Sequence, residues 1–153
     1  LLHKSLRGRN ISIKVALLDQ KVVVGIGNIY ASEILFRAGV SPKRLAKNVS
    51  EKMAIRIYDE AQTVLLTAIE AGGSTLKDGQ FKQIDGNLGY FPHEFAVYDR
   101  EGDVCTSVEC SNTIKRMVQS GRSTFFCGHC QRKTIHREPY CQFQVIIIGP
   151  LGT

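Results

Sequence analysis

The chain has 153 residues, 43% of them hydrophobic, and a formal net charge of +6. That length supplies one ordinary domain or two small ones, and the composition excludes wholesale disorder and fibrous repeats. The longest apolar run, Val145 to Ile148, is far short of the ~20 residues a membrane span needs, and no signal peptide is expected from the opening residues.

The positive charge is unevenly placed. The opening stretch holds Lys4, Arg7, Arg9, Lys14 and Lys21 against Asp19, and Ser111 to Arg137 holds Lys115, Arg116, Arg122, Arg132, Lys133 and Arg137 with no acid. Two basic regions flanking a nearly neutral middle point to a polyanionic partner rather than to an evenly solvated exterior.

Ile11 to Asp19 reads as a short helix, with Ile13, Ala16 and Leu17 on one face. Val22 to Asn28 follows, where Gly25 and Gly27 mark tight turning and Asn28 suits a helix N-cap. Ile29 to Ala38 reads as a helix that Gly39 ends in a left-handed cap. Glu51 to Ala71 is the longest helix, capped by Ser50, with Met53, Ile57, Ala61, Val64, Leu65 and Ala68 as its apolar stripe and Gly72-Gly73 as its stop. Residues 79–89 read as loop, and Ala96-Val97-Tyr98 as a short strand. Thr113 to Gln119 and Ser123 to Phe126 read as the arms of a hairpin turning at Ser120-Gly121, with Arg122 at or beside its tip.

The cysteines carry the sharpest chemistry. Cys105-x4-Cys110 and Cys127-x2-Cys130 are two close pairs separated by a hairpin-length insert, the spacing of a tetrahedral zinc site. With all four positions filled by thiolates, no place is left for an activated water, so the zinc is expected to be structural. Its binding energy would serve as folding energy for a unit too small for a core of its own. His129 reads as a bystander and Cys141 as a leftover thiol. Arg122 on a zinc-anchored loop suits forked contact with phosphate. The Gly25-x-Gly27-Asn28 turn opens a helix whose free amides suit the same ligand, with Arg9 and Lys14 just upstream.

Ile13-Lys14-Val15-Ala16-Leu17-Leu18-Asp19-Gln20 followed by Gly25-Ile26-Gly27-Asn28-Ile29-Tyr30-Ala31-Ser32-Glu33 resembles the helix-two-turns-helix motif of the formamidopyrimidine-DNA glycosylase family. Ala71 to Asp78, Asp85 to Phe91 and Gly121 to Cys127 resemble that family's later segments in the same order. The resemblance implies a mostly α fold with a small β zinc finger: a helix-two-turns-helix domain over 1–95, a four-cysteine zinc β-hairpin over 96–132, and an unmatched tail over 133–153. It also implies removal of oxidised purines such as 8-oxoguanine and formamidopyrimidine from duplex DNA, then cleavage of the abasic site by lyase chemistry. Such enzymes extrude the damaged nucleotide into a pocket.

By the same resemblance Asn28 is a phosphate-binding residue and Lys14 lies near the lesion pocket. Arg9 falls at a DNA-contacting position. Arg122 contacts the phosphates of the damaged nucleotide and donates a proton in the second elimination, and Thr75 to Tyr90 corresponds to a mobile loop. The family's nucleophile, an N-terminal proline amine beside a glutamate, has no counterpart at Leu1-Leu2, so the chain is expected to be a DNA-binding portion of a longer, bifunctional enzyme and inactive alone as a glycosylase. The expected partner is double-stranded DNA with oxidised purines or abasic sites, bound by a monomer in the bacterial cytoplasm, with no membrane. Gly79-Gln80 and Pro92 depart from the family pattern. A non-enzymatic zinc-ribbon module and a purely structural zinc protein are the competing readings.

Overall fold

The computed structural model describes residues 1–70 and 95–132. The expected Gly72-Gly73 stop, the 79–89 loop, the Thr75 to Tyr90 segment, Pro92, Cys141 and the tail 133–153 lie outside those residues. Four helices come first: α1 (Leu2–Leu6), α2 (Ile13–Leu18), α3 (Asn28–Ala38) and α4 (Glu51–Glu70). Two antiparallel strands follow, β1 (Lys115–Gln119) and β2 (Arg122–Phe126), paired from Lys115 with Phe126 to Gln119 with Arg122.

The helices form where the apolar spacing is helical, and local chemistry sets their limits. The α2 helix is shorter than the expected Ile11 to Asp19. Ser12 is its N-cap, in extended conformation, and its hydroxyl accepts the Val15 N–H. Ile11 is held instead by backbone pairing, its carbonyl accepting the Ala46 N–H at 2.8 Å beside the Ser12–Leu45 bridge. Gly39, at φ 71°, closes α3 in the left-handed region as expected. Ser50 accepts the Met53 N–H at 3.1 Å and so starts α4 as expected. The α1 helix was not expected from the sequence. Its one fully buried side chain, Leu6, leaves no periodic stripe to find.

Leu6, Ile13, Leu17, Ile34, Leu35 and Ile57 anchor one core inside the helical unit. Met53, Ile57, Val64 and Ala68 of the expected α4 stripe are buried, and Ala61 and Leu65 pack partly against the same core. A second cluster joins Phe36 of α3 to Val97, Ile114, Phe125 and the four cysteines. Adjacent residues of α3 therefore serve opposite cores: Leu35 points into the helical unit and Phe36 into the hairpin.

Ala96-Val97-Tyr98 is not a strand. Its three N–H groups donate to the carboxylate of Glu33, at 2.7, 2.9 and 2.9 Å, instead of to a neighbouring strand. A segment whose donors are taken by one side chain bends around that side chain and leaves the extended ladder.

Candidate nucleic-acid interface and metal centre

The hairpin turn is built from two residues in the left-handed region, Ser120 at φ 48° and Gly121 at φ 78°. That is the pattern whose twist matches two antiparallel strands. Arg122 is the first residue of β2, exposed, and directly opposite Gln119. The return strand then passes beside the start of α3. The Ser123 carbonyl accepts from Asn28 Nδ2 at 3.1 Å and from Lys14 Nζ at 3.5 Å. Lys14 Nζ also donates to Asn28 Oδ1.

These bonds correct one expectation. The N-cap of α3 is Gly27, and Asn28 is the first helical residue. Its side chain is thereby free of capping duty and reaches across to the hairpin. The amides of the first turn of α3 still lack helical partners, at the positive end of an 11-residue helix.

Lys14 is fully buried, and both its partners are neutral oxygens among the described residues. Burial, and after it the nearby positive charge of Arg122, lower its pKa from 10.5 to about 8. Two cations close enough to repel, beside a helix N-terminus, form a site that an anion would complete. Three of the four expected DNA-contacting residues, Lys14, Asn28 and Arg122, are thus brought together from two separate units. The fourth, Arg9, is engaged elsewhere. Its Nε donates to the Ser5 carbonyl at 2.8 Å and its guanidinium lies 3.6 Å from Asp19 Oδ2.

The four cysteines converge as their spacing predicts. Their sulfurs all lie within 4.8 Å of one another. Cys105 and Cys130 are 3.7 Å apart, and Cys110 and Cys127 are 3.8 Å apart. A tetrahedron with Zn–S bonds of about 2.3 Å has edges of about 3.8 Å, so the donor set fits one zinc ion closed to water. The hydrogen bond from Cys127 favours the Cys105 thiolate, lowering its pKa to about 5, while the same bond holds the Cys127 proton on more tightly. His129 stays outside the cluster, exposed, 3.1 Å from the Arg132 guanidinium.

Two residues not singled out by the sequence pattern join the hairpin to the helices. Glu33 of α3 is buried and takes the three N–H bonds from Ala96, Val97 and Tyr98. Burial raises its carboxyl pKa, against the pull of those bonds and of Arg37. Gln131 is also buried. Its Oε1 accepts the Cys127 N–H at 2.8 Å, and its Nε2 donates to the Val40 carbonyl at 3.0 Å. Glu33 carried a legible signal: a carboxylate among Ala31, Ile34 and Leu35 on an otherwise apolar stretch. Gln131 carried none beyond its place after the last cysteine of the two pairs.

The family model for the formamidopyrimidine-DNA glycosylase H2TH domain matches residues 1–80. The chain belongs to the formamidopyrimidine-DNA glycosylase family. A second model, for the zinc finger found in FPG and IleRS, matches residues 102–132. Among this family's curated members, the formamidopyrimidine-DNA glycosylase of Ruegeria pomeroyi is 53% identical over 128 residues, covering 84% of this chain and 44% of the relative. That of Dinoroseobacter shibae is 55% identical over 127 residues, covering 83% and 44%. The chain therefore spans less than half the length of these relatives.

Solved structures agree. The MutM (Fpg) protein of Thermus thermophilus superposes with a TM-score of 0.79 at 42% identity, over 88% of this chain and 50% of that one. The Lactococcus lactis Fpg in complex with DNA containing an abasic site gives 0.75 at 31% identity, over 86% and 47%. The expected fold class, mostly helical with a two-stranded zinc hairpin, stands, and so does a single structural zinc. Among the described residues no helix is long and apolar enough to cross a membrane.

Proposed function

We propose that this chain is the DNA-binding portion of a base-excision-repair glycosylase and abasic-site lyase acting on oxidised purines in duplex DNA. The observation that carries the reading is the junction of Lys14, Asn28 and Arg122 through the Ser123 carbonyl at the N-terminus of α3. Membership of a family whose Lactococcus lactis member is solved with abasic-site and Fapy-dG DNA supports it.

The roles are those the family resemblance implies, and the geometry is compatible with them. Asn28 and the first amides of α3 hold one phosphate, helped by the helix dipole. Arg122, exposed at the start of β2, forks onto the phosphates of the extruded nucleotide. From there it donates the proton of the second elimination. Lys14 is the buried cation beneath that site, and Arg9 adds a peripheral backbone contact once it exchanges Asp19 for phosphate. The zinc supplies no bond-breaking chemistry when bound, since four thiolates close its coordination shell. It holds the hairpin that presents Arg122. The nucleophile that attacks the sugar belongs to the part of such an enzyme beyond the span shared with this sequence.

A gel shift with abasic-site duplex against plain duplex tests the reading. The expected result is preferred binding of the lesion, with affinity falling steeply as salt rises because phosphate contacts release counterions. Arg122→Ala should weaken that binding with zinc still bound. Equal binding of both duplexes would favour a generic zinc-ribbon module, and no binding would leave only a structural zinc protein.

A further inference from the structure

Around the apolar contact of Phe36, the seam between the two units carries hydrogen bonds, most of them from one helix. Asn28, Ser32 and Glu33 all lie on α3 and all bond the hairpin unit. Ser32 accepts the Phe125 N–H at 3.4 Å, and Glu33 takes three N–H groups from Ala96, Val97 and Tyr98. The Tyr98 ring then meets Phe125 edge-on, with centroids 5.0 Å apart, and Phe125 is three residues from Arg122 on the same strand. At the other end of α3, Gln131 links the Cys127 amide to the Val40 carbonyl. A metal fixes the four cysteines relative to one another, and Phe36 of α3 packs among them. That apolar contact is not directional, so it leaves the orientation of the hairpin on α3 to the hydrogen bonds.

We propose that Glu33 and Gln131 are positioning residues that clamp the metal hairpin to the middle of α3 and to the turn just past its C-cap, and that this clamp, beyond the metal itself, sets Arg122 opposite Asn28. The chemistry is specific. A carboxylate has lone pairs enough for three amide donors, whereas a carboxamide in its place turns an N–H₂ group toward them. A buried glutamine that accepts on one side and donates on the other couples two backbones at fixed distance, and alanine leaves both backbone groups unpaired. The consequence for DNA binding rests on the proposed function; the clamp itself does not.

The test uses the full chain, with Glu33→Gln, Gln131→Ala, Arg122→Ala and the two double variants that combine Arg122→Ala with each clamp change. Zinc content should stay at one per chain in all of them. In DNA-free protein, ¹⁵N relaxation should show one common tumbling rate for helices and hairpin in the wild type. In each clamp variant the hairpin amides should tumble separately. With abasic-site duplex, each clamp variant should lose roughly tenfold in affinity, and about 0.9 from the salt slope, as Arg122→Ala does. Each double variant should bind no worse than Arg122→Ala alone, because the clamp acts through that residue.

Common tumbling retained in both clamp variants would overturn the proposal, as would losses that simply add to that of Arg122→Ala. If Glu33→Gln fails to fold, Gln131→Ala decides by the same readings. Should the wild type not bind abasic DNA at all, the proposed function fails, while the relaxation measurement still decides the clamp.

Discussion

Leu6, Ile13, Leu17, Ile34, Leu35 and Ile57 close an apolar core in the helical unit, whereas the hairpin unit gathers four cysteines around Val97, Ile114 and Phe125. The first region is held by burial of ordinary hydrophobic side chains, each contributing roughly 1.5–3 kcal/mol. The second has too few such residues and depends on a metal for the remainder. Between them lies a seam of hydrogen bonds from Asn28, Ser32, Glu33, Gln119 and Gln131. The division of labour follows from that contrast. The larger core supplies rigidity, the metal makes a small projecting hairpin stiff, and the polar bonds across the seam fix the angle at which the two units hold Lys14 and Arg122.

The largest effect should come from removing the metal. Structural zinc sites carry apparent binding energies of about 10–16 kcal/mol. Chelation, or Cys127→Ser, should therefore abolish the dispersed NMR signals of residues 100–130 while circular dichroism retains most of the helicity of α3 and α4. Simultaneous loss of both would mean that the two regions form one cooperative unit, and the contrast between them would fall.

A sharper cut uses two adjacent residues. Leu35→Ala should cost about 2–5 kcal/mol, read as a lowered midpoint for the helical signal, with little change in zinc affinity. Phe36→Ala should do the reverse, weakening zinc retention against a competing chelator, because Phe36 packs in the cysteine cluster. Equal effects of both changes on both readouts would show that α3 does not separate two cores.

Smaller still is the cap of α4. Ser50→Ala removes the acceptor for the Met53 N–H and should cost ~1 kcal/mol in thermal or denaturant unfolding of the helical unit. Zinc retention should not move.

The finest test concerns Lys14 and pH. Its folded pKa is lowered, to about 8 from 10.5, so the unfolded chain binds more protons between those values. Stability of the helical unit should therefore rise as pH increases from about 8 to 10.5, a gain absent below pH 8. DNA affinity should move the opposite way over the same window, since a phosphate beside Lys14 favours the protonated form. Lys14→Met should flatten both profiles, and a wild-type profile already flat in stability would show that Lys14 is not buried as a cation.

Much of this molecule is legible in its residues alone. Ser50, Gly39 and the stripe Met53, Ile57, Val64 and Ala68 bound and orient two helices, because capping and periodicity are local rules. Cys105, Cys110, Cys127 and Cys130 announce a closed metal site through spacing alone. The rest turns on partners that local composition does not name. Ala96-Val97-Tyr98 has strand-like composition, yet Glu33, more than sixty residues earlier, takes its donors. Asn28 has the composition of a cap, yet Gly27 caps the helix and Asn28 turns to Lys14 and Ser123. Arg9 looks equivalent to Lys14 in a basic stretch, but it pairs with Asp19 while Lys14 is drawn inside.

By itself the sequence determined where the main helices run, where the metal binds and which family the chain resembles, since each depends on neighbours within a turn or a hairpin. Only the tertiary structure decided that Lys14, Asn28 and Arg122 meet at one point, and that Glu33 and Gln131 hold the hairpin there. The physical reason is that those contacts close loops of tens of residues through polar groups. Such groups leave no periodicity behind them, and their partners are backbone amides and carbonyls that any residue could have supplied.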